Sequence, residues 1–379
     1  MNSKGTIGIC LLVIVFALML SCSSGESSNE ILIGEYSSLT GTTATYGQSS
    51  TRASQIAIDE VNAAGGVLGK KVKLLLEDTQ SKPEEAALAA TKLLTRDKVV
   101  ALIGEIASSR SLAAAPIAQT NKIPMVSPGS TNPEVTRKGD YIFRVCYIDP
   151  FQGEVLAKFA FNSLKVTKVA ILKDVKNDYS IGLADFFTQT FTGLGGQIVV
   201  EQAYSEGDTD FRAQLTAIKS TNPEVIFVPG YYTEAALIIK QARELNMNMV
   251  FIGGDGWDSA KLLEIGGESM NGCYFTNHYA ADDTSSIVQE FVKKYVARYN
   301  ETPDAMAVLG YDATNIVIDA IRRAGSTEGP KIRDALASTV DYQGVSGKIT
   351  IDADRNARKS VVIIAIKDKQ LKYHETVQP

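Results

Sequence analysis

Apolar residues in this chain fall into short runs, each followed by a longer stretch in which they recur at helical spacing. The pattern predicts a strand over 31–36, a helix over 45–64 closed by Gly65-Gly66, a strand over 71–77, and a helix over 83–96 that starts on Pro83. A strand over 99–103, a helix over 108–120 and a strand over 123–127 follow. After Pro150 the rhythm restarts: a helix to about 164, strand 168–172, helix 180–194, strand 197–203, helix 209–220, strand 225–228, helix 233–245 and strand 249–252. Short apolar strands separated by helices imply parallel sheets covered on both faces, and the restart implies two such units. The expected fold is therefore α/β, with two doubly wound parallel-sheet lobes. Length agrees, because about 350 folded residues exceed what one hydrophobic core usually supports.

The N-terminus reads differently. Lys4 precedes an uncharged, largely apolar run over 6–20, shorter than the ~20 residues a spanning helix needs, so 1–21 reads as an export signal. It ends in Met19-Leu20-Ser21-Cys22, which resembles the bacterial lipobox; the resemblance implies that the Cys22 thiol is lipidated and becomes the mature N-terminus. An ordinary cleaved signal is the alternative. The small polar stretch 23–29 suits a flexible tether, with folded structure beginning near Glu30.

Charge is nearly balanced, with 38 Lys and Arg against 43 Asp and Glu, and no basic stripe interleaves with aromatics, so no nucleic-acid partner is expected. Of the four cysteines, Cys10 leaves with the signal and Cys22 would carry lipid. Cys146 and Cys273 are far apart in the chain; they could pair in an oxidising compartment, but each sits in a strand-like stretch and reads as a buried small hydrophobe.

In sheets of this kind ligands bind beyond the carboxyl ends of strands, where helix N-termini collect. In the first unit those loops hold Ile106-Ala107-Ser108-Ser109 and Pro128-Gly129-Ser130-Thr131-Asn132, rich in the glycine and hydroxyl groups that approach a carboxylate without obstruction. In the second unit they hold Asn177-Asp178-Tyr179, Gly230-Tyr231-Tyr232 and Gly254-Asp255-Gly256-Trp257, which offer one acid for a cation and rings for an apolar body. A zwitterion with a modest side chain satisfies both. Singly, Ser108, Ser109 and Thr131 also suit helix N-caps, Tyr179 and Tyr231 suit an amphipathic surface, and Asp255 suits a turn. The coincidence of all of them just past strand ends favours binding.

The chain resembles the type I periplasmic binding proteins specific for leucine, isoleucine and valine. The likeness spans about 31–367 and is carried by Ile33-Gly34-Glu35-Tyr36-Ser37-Ser38-Leu39-Thr40-Gly41 with Tyr46-Gly47, by Ile58-Asp59-Glu60-Val61-Asn62-Ala63-Ala64-Gly65-Gly66, by Val126-Ser127-Pro128-Gly129-Ser130-Thr131-Asn132-Pro133, by Gln241-Ala242-Arg243 and by Gly253-Gly254-Asp255-Gly256. The resemblance implies that Ser108, the Gly129 backbone and Thr131 hold an α-carboxylate, that Thr131 and Asp255 meet an α-ammonium, and that Tyr46, Tyr179 and Tyr231 line the rest. Ala107, Ser130 and Trp257 complete the expected ligand set, the large indole of Trp257 beside the short acid Asp255 changing the pocket's volume. A disulfide found in some members is absent, since Ser81 and Ala107 stand at the matching positions. Lobe 1 is expected over 30–146 and 279–348 and lobe 2 over 147–278 and 349–379, joined by a three-strand hinge that crosses near Cys146, Asn277 and Ile349. The helices over 287–299 and 311–324 resemble first-lobe elements.

Enzyme readings find little support. His278 and His374 are the only histidines and neither neighbours a Gly-x-Ser-x-Gly turn, and no nucleotide-binding glycine motif follows a strand. Asp352-Ala353-Asp354-Arg355-Asn356 begins like a calcium loop but lacks its later glycine and glutamate, and reads as a polar turn. The function expected is therefore a lipid-anchored, extracytoplasmic monomer without cofactor that delivers an aliphatic amino acid to the permease subunits of an ABC importer. The competing function is an amino-acid sensor that signals occupancy to a separate partner.

Overall fold

The computed structural model describes residues 30–379; the expected export signal, Cys22 and the tether lie outside the described residues. Strands β1 (Glu30–Ser37), β2 (Lys71–Asp78), β3 (Ala101–Ile103), β4 (Met125–Ser127) and β5 (Ile142–Arg144) form one sheet in the order β2-β1-β3-β4-β5, parallel throughout. Parallel neighbours need crossovers, and α1 (Ala44–Ala63), α2 (Pro83–Thr95) and α3 (Ser108–Asn121) supply them. Helices cover both faces, so β3 and β4 are buried at every residue, which is why they read as unbroken apolar runs.

The chain then passes through α4 (Asp149–Lys158) into β6 (Lys168–Asp174), α5 (Asp178–Gly193), β7 (Gln197–Tyr204), α6 (Arg212–Lys219), β8 (Val225–Val228), α7 (Tyr232–Glu244), β9 (Val250–Gly253), α8 (Ala260–Gly266) and β10 (Tyr274–Asn277). These strands make a second parallel sheet. Next come α9 (Ser286–Tyr299), α10 (Ala305–Ala324) and α11 (Gly329–Ala337), and of these α10 packs on α1 of the first lobe. The crossing is close: a Cβ at Gly310 would lie 2.5 Å from Ser50 Oγ, so only glycine fits at that contact. Helix α10 starts well before the expected 311, because Asp304 caps it by accepting the Ala307 N–H at 2.8 Å.

Strands β11 (Tyr342–Gly344), β12 (Gly347–Ile351) and β13 (Ala357–Arg358) form a small antiparallel sheet. Then β14 (Val361–Lys367) and β15 (Gln370–Val377) close the second sheet antiparallel, in the order β15-β14-β10-β9-β8-β6-β7. The expected crossing near Ile349 falls inside β12, and re-entry to the second sheet waits until Val361. The reason is local. Asp312 of α10 accepts the N–H groups of Val345 and Ser346 at 2.8 and 2.9 Å, and Thr136 donates to Asn356 at 3.0 Å, so 342–358 stays with first-lobe elements. The stretch at 352–356 is a turn in which Asp352 Oδ1 accepts the N–H groups of Asp354 and Asn356, both at 2.9 Å. Cys146 and Cys273 are buried and free, and burial pushes both thiols up to about 12.

Candidate functional site

Loops beyond β3 and β4 meet loops beyond β6, β8 and β9 around a small interlobe cavity lined by Tyr46, Ile106, Ser108, Gly129, Tyr179, Tyr231, Asp255, Gly256 and Met306. Six of the expected ligand residues are therefore brought together from both lobes. On the first-lobe side, Ser108 opens α3, where the first-turn N–H groups have no intrahelical acceptor. Neither Ser108 nor Ser109 caps that helix, whose cap position is Ala107. The Ser108 hydroxyl accepts the Asn132 N–H at 3.2 Å and keeps its own proton free to donate. Thr131 Oγ1 is buried without a hydrogen-bond partner; it approaches the Asp149 carboxyl without reaching hydrogen-bond geometry. Asp149 itself is fully buried with both oxygens unpartnered, and burial raises it well above the usual carboxylate range, against the pull of the Thr131 hydroxyl.

On the second-lobe side, Asp255 is 2% exposed and three groups converge on it. Gln152 Nε2 and the Tyr179 hydroxyl donate to Oδ1 at 2.9 Å each, and His278 Nε2 lies 2.9 Å from Oδ2. Burial lowers His278 to about 4, so near neutral pH the imidazole is uncharged. A carboxylate oxygen only accepts, which assigns the proton to Nε2 and leaves Nδ1 bare, in keeping with its lack of a partner. The Tyr147 ring stacks on His278 at 3.9 Å and holds it in place. The aromatic wall is ordered too: Tyr179 and Tyr231 stack at 5.5 Å, and Tyr46 meets Tyr231 edge-on at 5.7 Å. The Tyr46 hydroxyl donates across the cleft to the Gly256 carbonyl.

Four expected residues are not cavity walls: Thr131, whose buried hydroxyl sits beside Asp149 behind the lining, and three that are turned elsewhere. Trp257 is wholly buried in the second lobe, where its indole donates to the Val228 carbonyl at 3.1 Å; a Cβ on Gly253 would overlap that ring at 2.0 Å, so the glycine makes room for it. Trp257 thus fills the core and takes no volume from the cavity. Ser130 turns its hydroxyl to the Glu105 and Ile106 carbonyls at 2.9 and 3.1 Å, and its carbonyl accepts from Arg144, so it braces the loop. Ala107 uses its N–H on Glu105 Oε2 at 2.7 Å and, with Ser81, lines a separate hollow at the cleft mouth.

Ile106, Gly256, Met306, Asp149, Gln152 and His278 were not foreseen. Met306 arrives because α10 begins at Ala305, and nothing near it in sequence points to the cavity. Asp149 stood in view beside Pro150, but an acid there reads as an ordinary helix start. His278 gave no signal because its partner, Asp255, lies in a different loop, the turn after β9, 23 residues earlier.

A cleft between two lobes, closed over a small buried cavity lined from both sides, defines a solute receptor. The chain belongs to the periplasmic binding protein family, whose model matches residues 30–370. It is 34% identical over 323 residues, 85% of this chain and 87% of the other, to the Leu/Ile/Val-binding protein BraC3 of Rhizobium johnstonii. Among solved structures it resembles the leucine binding protein LivK of Thermotoga maritima, at 43% identity and TM-score 0.88, covering 92% of this chain and 99% of that one. It also resembles the branched-chain amino acid transporter substrate binding protein LivJ of Streptococcus pneumoniae in complex with isoleucine, at 34% identity and TM-score 0.88, covering 92% and 100%. Its family and relatives are solute-binding proteins, not enzymes, and the family's description places it outside the cytoplasm.

Proposed function

We propose that the protein captures a branched-chain or other small aliphatic L-amino acid between its lobes and presents it to the permease of an ABC importer. The observation that carries this reading is the composition of the interlobe cavity, with hydroxyls and a helix N-terminus on one side, buried acids behind, and three tyrosines around the rest. Ser108, the Gly129 backbone and Thr131 would take the α-carboxylate. Asp255 would take the α-ammonium together with Thr131, and Asp149, which has two unpartnered oxygens beside Thr131, would gain the cation that burial otherwise denies it. Tyr46, Tyr179, Tyr231, Ile106 and Met306 would enclose the side chain. The names of the relatives agree with the ligand class. The first crossing near 146 and the second near 278 would act as hinge strands, with the third at 359–360.

Thermal unfolding of the purified domain with leucine, 4-methylpentanoic acid and isoamylamine tests the reading. Leucine at a hundred times its dissociation constant should add about 2.7 kcal/mol of stability, and each analogue should add far less at the same concentration. Equal stabilisation by the fatty acid would sink the zwitterion assignment. Lipid attachment at Cys22 belongs to the same proposal and rests on Leu20-Ser21-Cys22. Mass spectrometry of the membrane fraction should find a diacylglyceryl group on Cys22, and an unmodified N-terminus elsewhere would remove it.

A further inference from the structure

Away from the ligand cavity, the lobes also meet at the cleft mouth through one charged contact. Glu206, in the turn after β7, accepts the Thr42 hydroxyl and lies 3.5 Å from Arg110 Nη2. Thr42 and Arg110 belong to the first lobe. Arg110 is only 3% exposed; its Nη1 donates to Ser38 Oγ at 3.1 Å and Thr43 Oγ1 at 2.8 Å and stands 3.6 Å from Glu105 Oε2. Arg110 therefore keeps an anionic neighbour within its own lobe whatever the other lobe does. Its Nη2 points to Glu206.

The facing turn is built to present that carboxylate. The Gly207 N–H donates to Glu234 Oε1 at 2.9 Å, and Asp174 accepts from the Glu206 backbone. Three carboxylates, Asp174, Glu206 and Glu234, thus crowd one rim of the second lobe. Asp174 and Glu234 are raised by burial first and by their acidic neighbours next. The cation this rim has from its own lobe is the exposed Lys176. Separating the lobes would leave three repelling carboxylates short of a buried counter-charge, and closing them supplies Arg110. Tyr231 joins this contact to the ligand, because its ring walls the ligand cavity and also lines the outer hollow that holds Arg110 and Glu206.

We propose that Glu206 is the positioning residue that latches the closed state, so that its contact with Arg110 and Thr42 sets the residence time of the ligand and leaves first docking unaffected. The proposal rests on the interlobe ligand reading above. Ligand enters while the lobes are apart, before the latch exists; it leaves only after the latch has broken. The latch therefore acts on dissociation.

Two variants separate charge from shape. Glu206→Gln keeps an acceptor for Thr42 and loses the charge, and Glu206→Ala loses both. Chase of labelled leucine should show dissociation faster by about tenfold in Glu206→Ala, the loss expected for one charge-assisted contact, with association changed by less than about twofold. Raising ionic strength should shorten residence in the unaltered protein and have little effect in Glu206→Gln, a response that a purely structural role would not produce. Spin labels at Thr91→Cys and Thr216→Cys, both exposed positions on opposite lobes, report the interlobe distance without ligand, the native Cys146 and Cys273 being buried. The variants should shift that distribution toward longer distances. Wild-type dissociation and an unchanged distance distribution in both variants would overturn the latch, as would slower association with dissociation intact. If the unaltered protein holds no amino acid, the functional reading fails, and the ligand-free distances still decide the latch.

Discussion

Asp255 shows how one side chain is given a single task. A buried carboxylate is costly unless donors surround it, and here Gln152 and Tyr179 from two helices and His278 from the segment just after β10 do so. With three donors already in place, Asp255 is fixed in position at the cavity wall. Asp255→Ala should weaken amino-acid binding by about 1.5–3 kcal/mol, which is roughly tenfold or more. Calorimetric titration with leucine measures this, and an affinity within about twofold of the unaltered protein would contradict the assignment. Asp255→Asn keeps the shape but presents an amide to the same donors, so it should lose at least as much.

Among the elements, the seam between β1 and α1 carries the least expected group. Glu35 points from β1 into the seam, where Oε1 accepts the Ser50 hydroxyl at 2.9 Å and Oε2 has no partner. Burial lifts its pKa from 4.5 to about 7. The folded protein therefore holds a proton that the unfolded chain gives up at lower pH. Stability from this group is full below pH 4.5 and is lost as pH rises through 7. A carboxyl raised that far loses about 3 kcal/mol of its contribution once the pH is above both values. Glu35→Gln stays neutral at every pH, so its advantage over the unaltered protein should be absent at about pH 4.5, grow to about 3 kcal/mol by about pH 8, and be read from urea unfolding at the two values. A difference independent of pH would show that Glu35 titrates alike in the folded and unfolded chain, contrary to the shift. The same seam carries α10, whose Gly310 contact with Ser50 seats Met306 in the cavity wall, so helix packing and ligand enclosure are linked.

At the scale of the whole molecule, the cavity exists only where both lobes contribute walls, so on the proposed function closure and ligand capture would be one event. Thr45 meets Ser259 at 3.0 Å, Asn132 donates to the Asp178 carbonyl at 2.8 Å, and the Asp178 N–H donates to Ser109 at 3.0 Å, all across the cleft. Three chain crossings would restrict relative motion to a hinge. Small-angle scattering should show the protein compacting when saturated with leucine. The Asp255→Ala variant should compact less at saturation, since the first lobe still holds the carboxylate while the second has lost its main charge contact. Equal compaction in both would mean that another contact drives closure.

The alternation of strand and helix was legible from residue 31 onward because the apolar period is a local property: each strand reads as a run and each helix as a spaced stripe, whatever they later pack against. The loops at strand ends were legible for the same reason, and Ser108, Gly129, Tyr179, Tyr231 and Asp255 from them line one cavity with Tyr46 of α1, which only the family resemblance pointed to. What the sequence could not decide was direction. Trp257 is adjacent to Gly256, yet its indole turns into the core over Gly253, and Ser130 turns to the carbonyls of the neighbouring loop while Gly129 before it faces the cavity. Side-chain direction in a loop follows from the space and hydrogen-bond partners that distant segments supply, and those segments are set only by tertiary packing. The same holds for Asp149, His278 and Glu206, ordinary polar residues in the chain whose chemistry appears only when the fold sets them beside Thr131, Asp255 and Arg110.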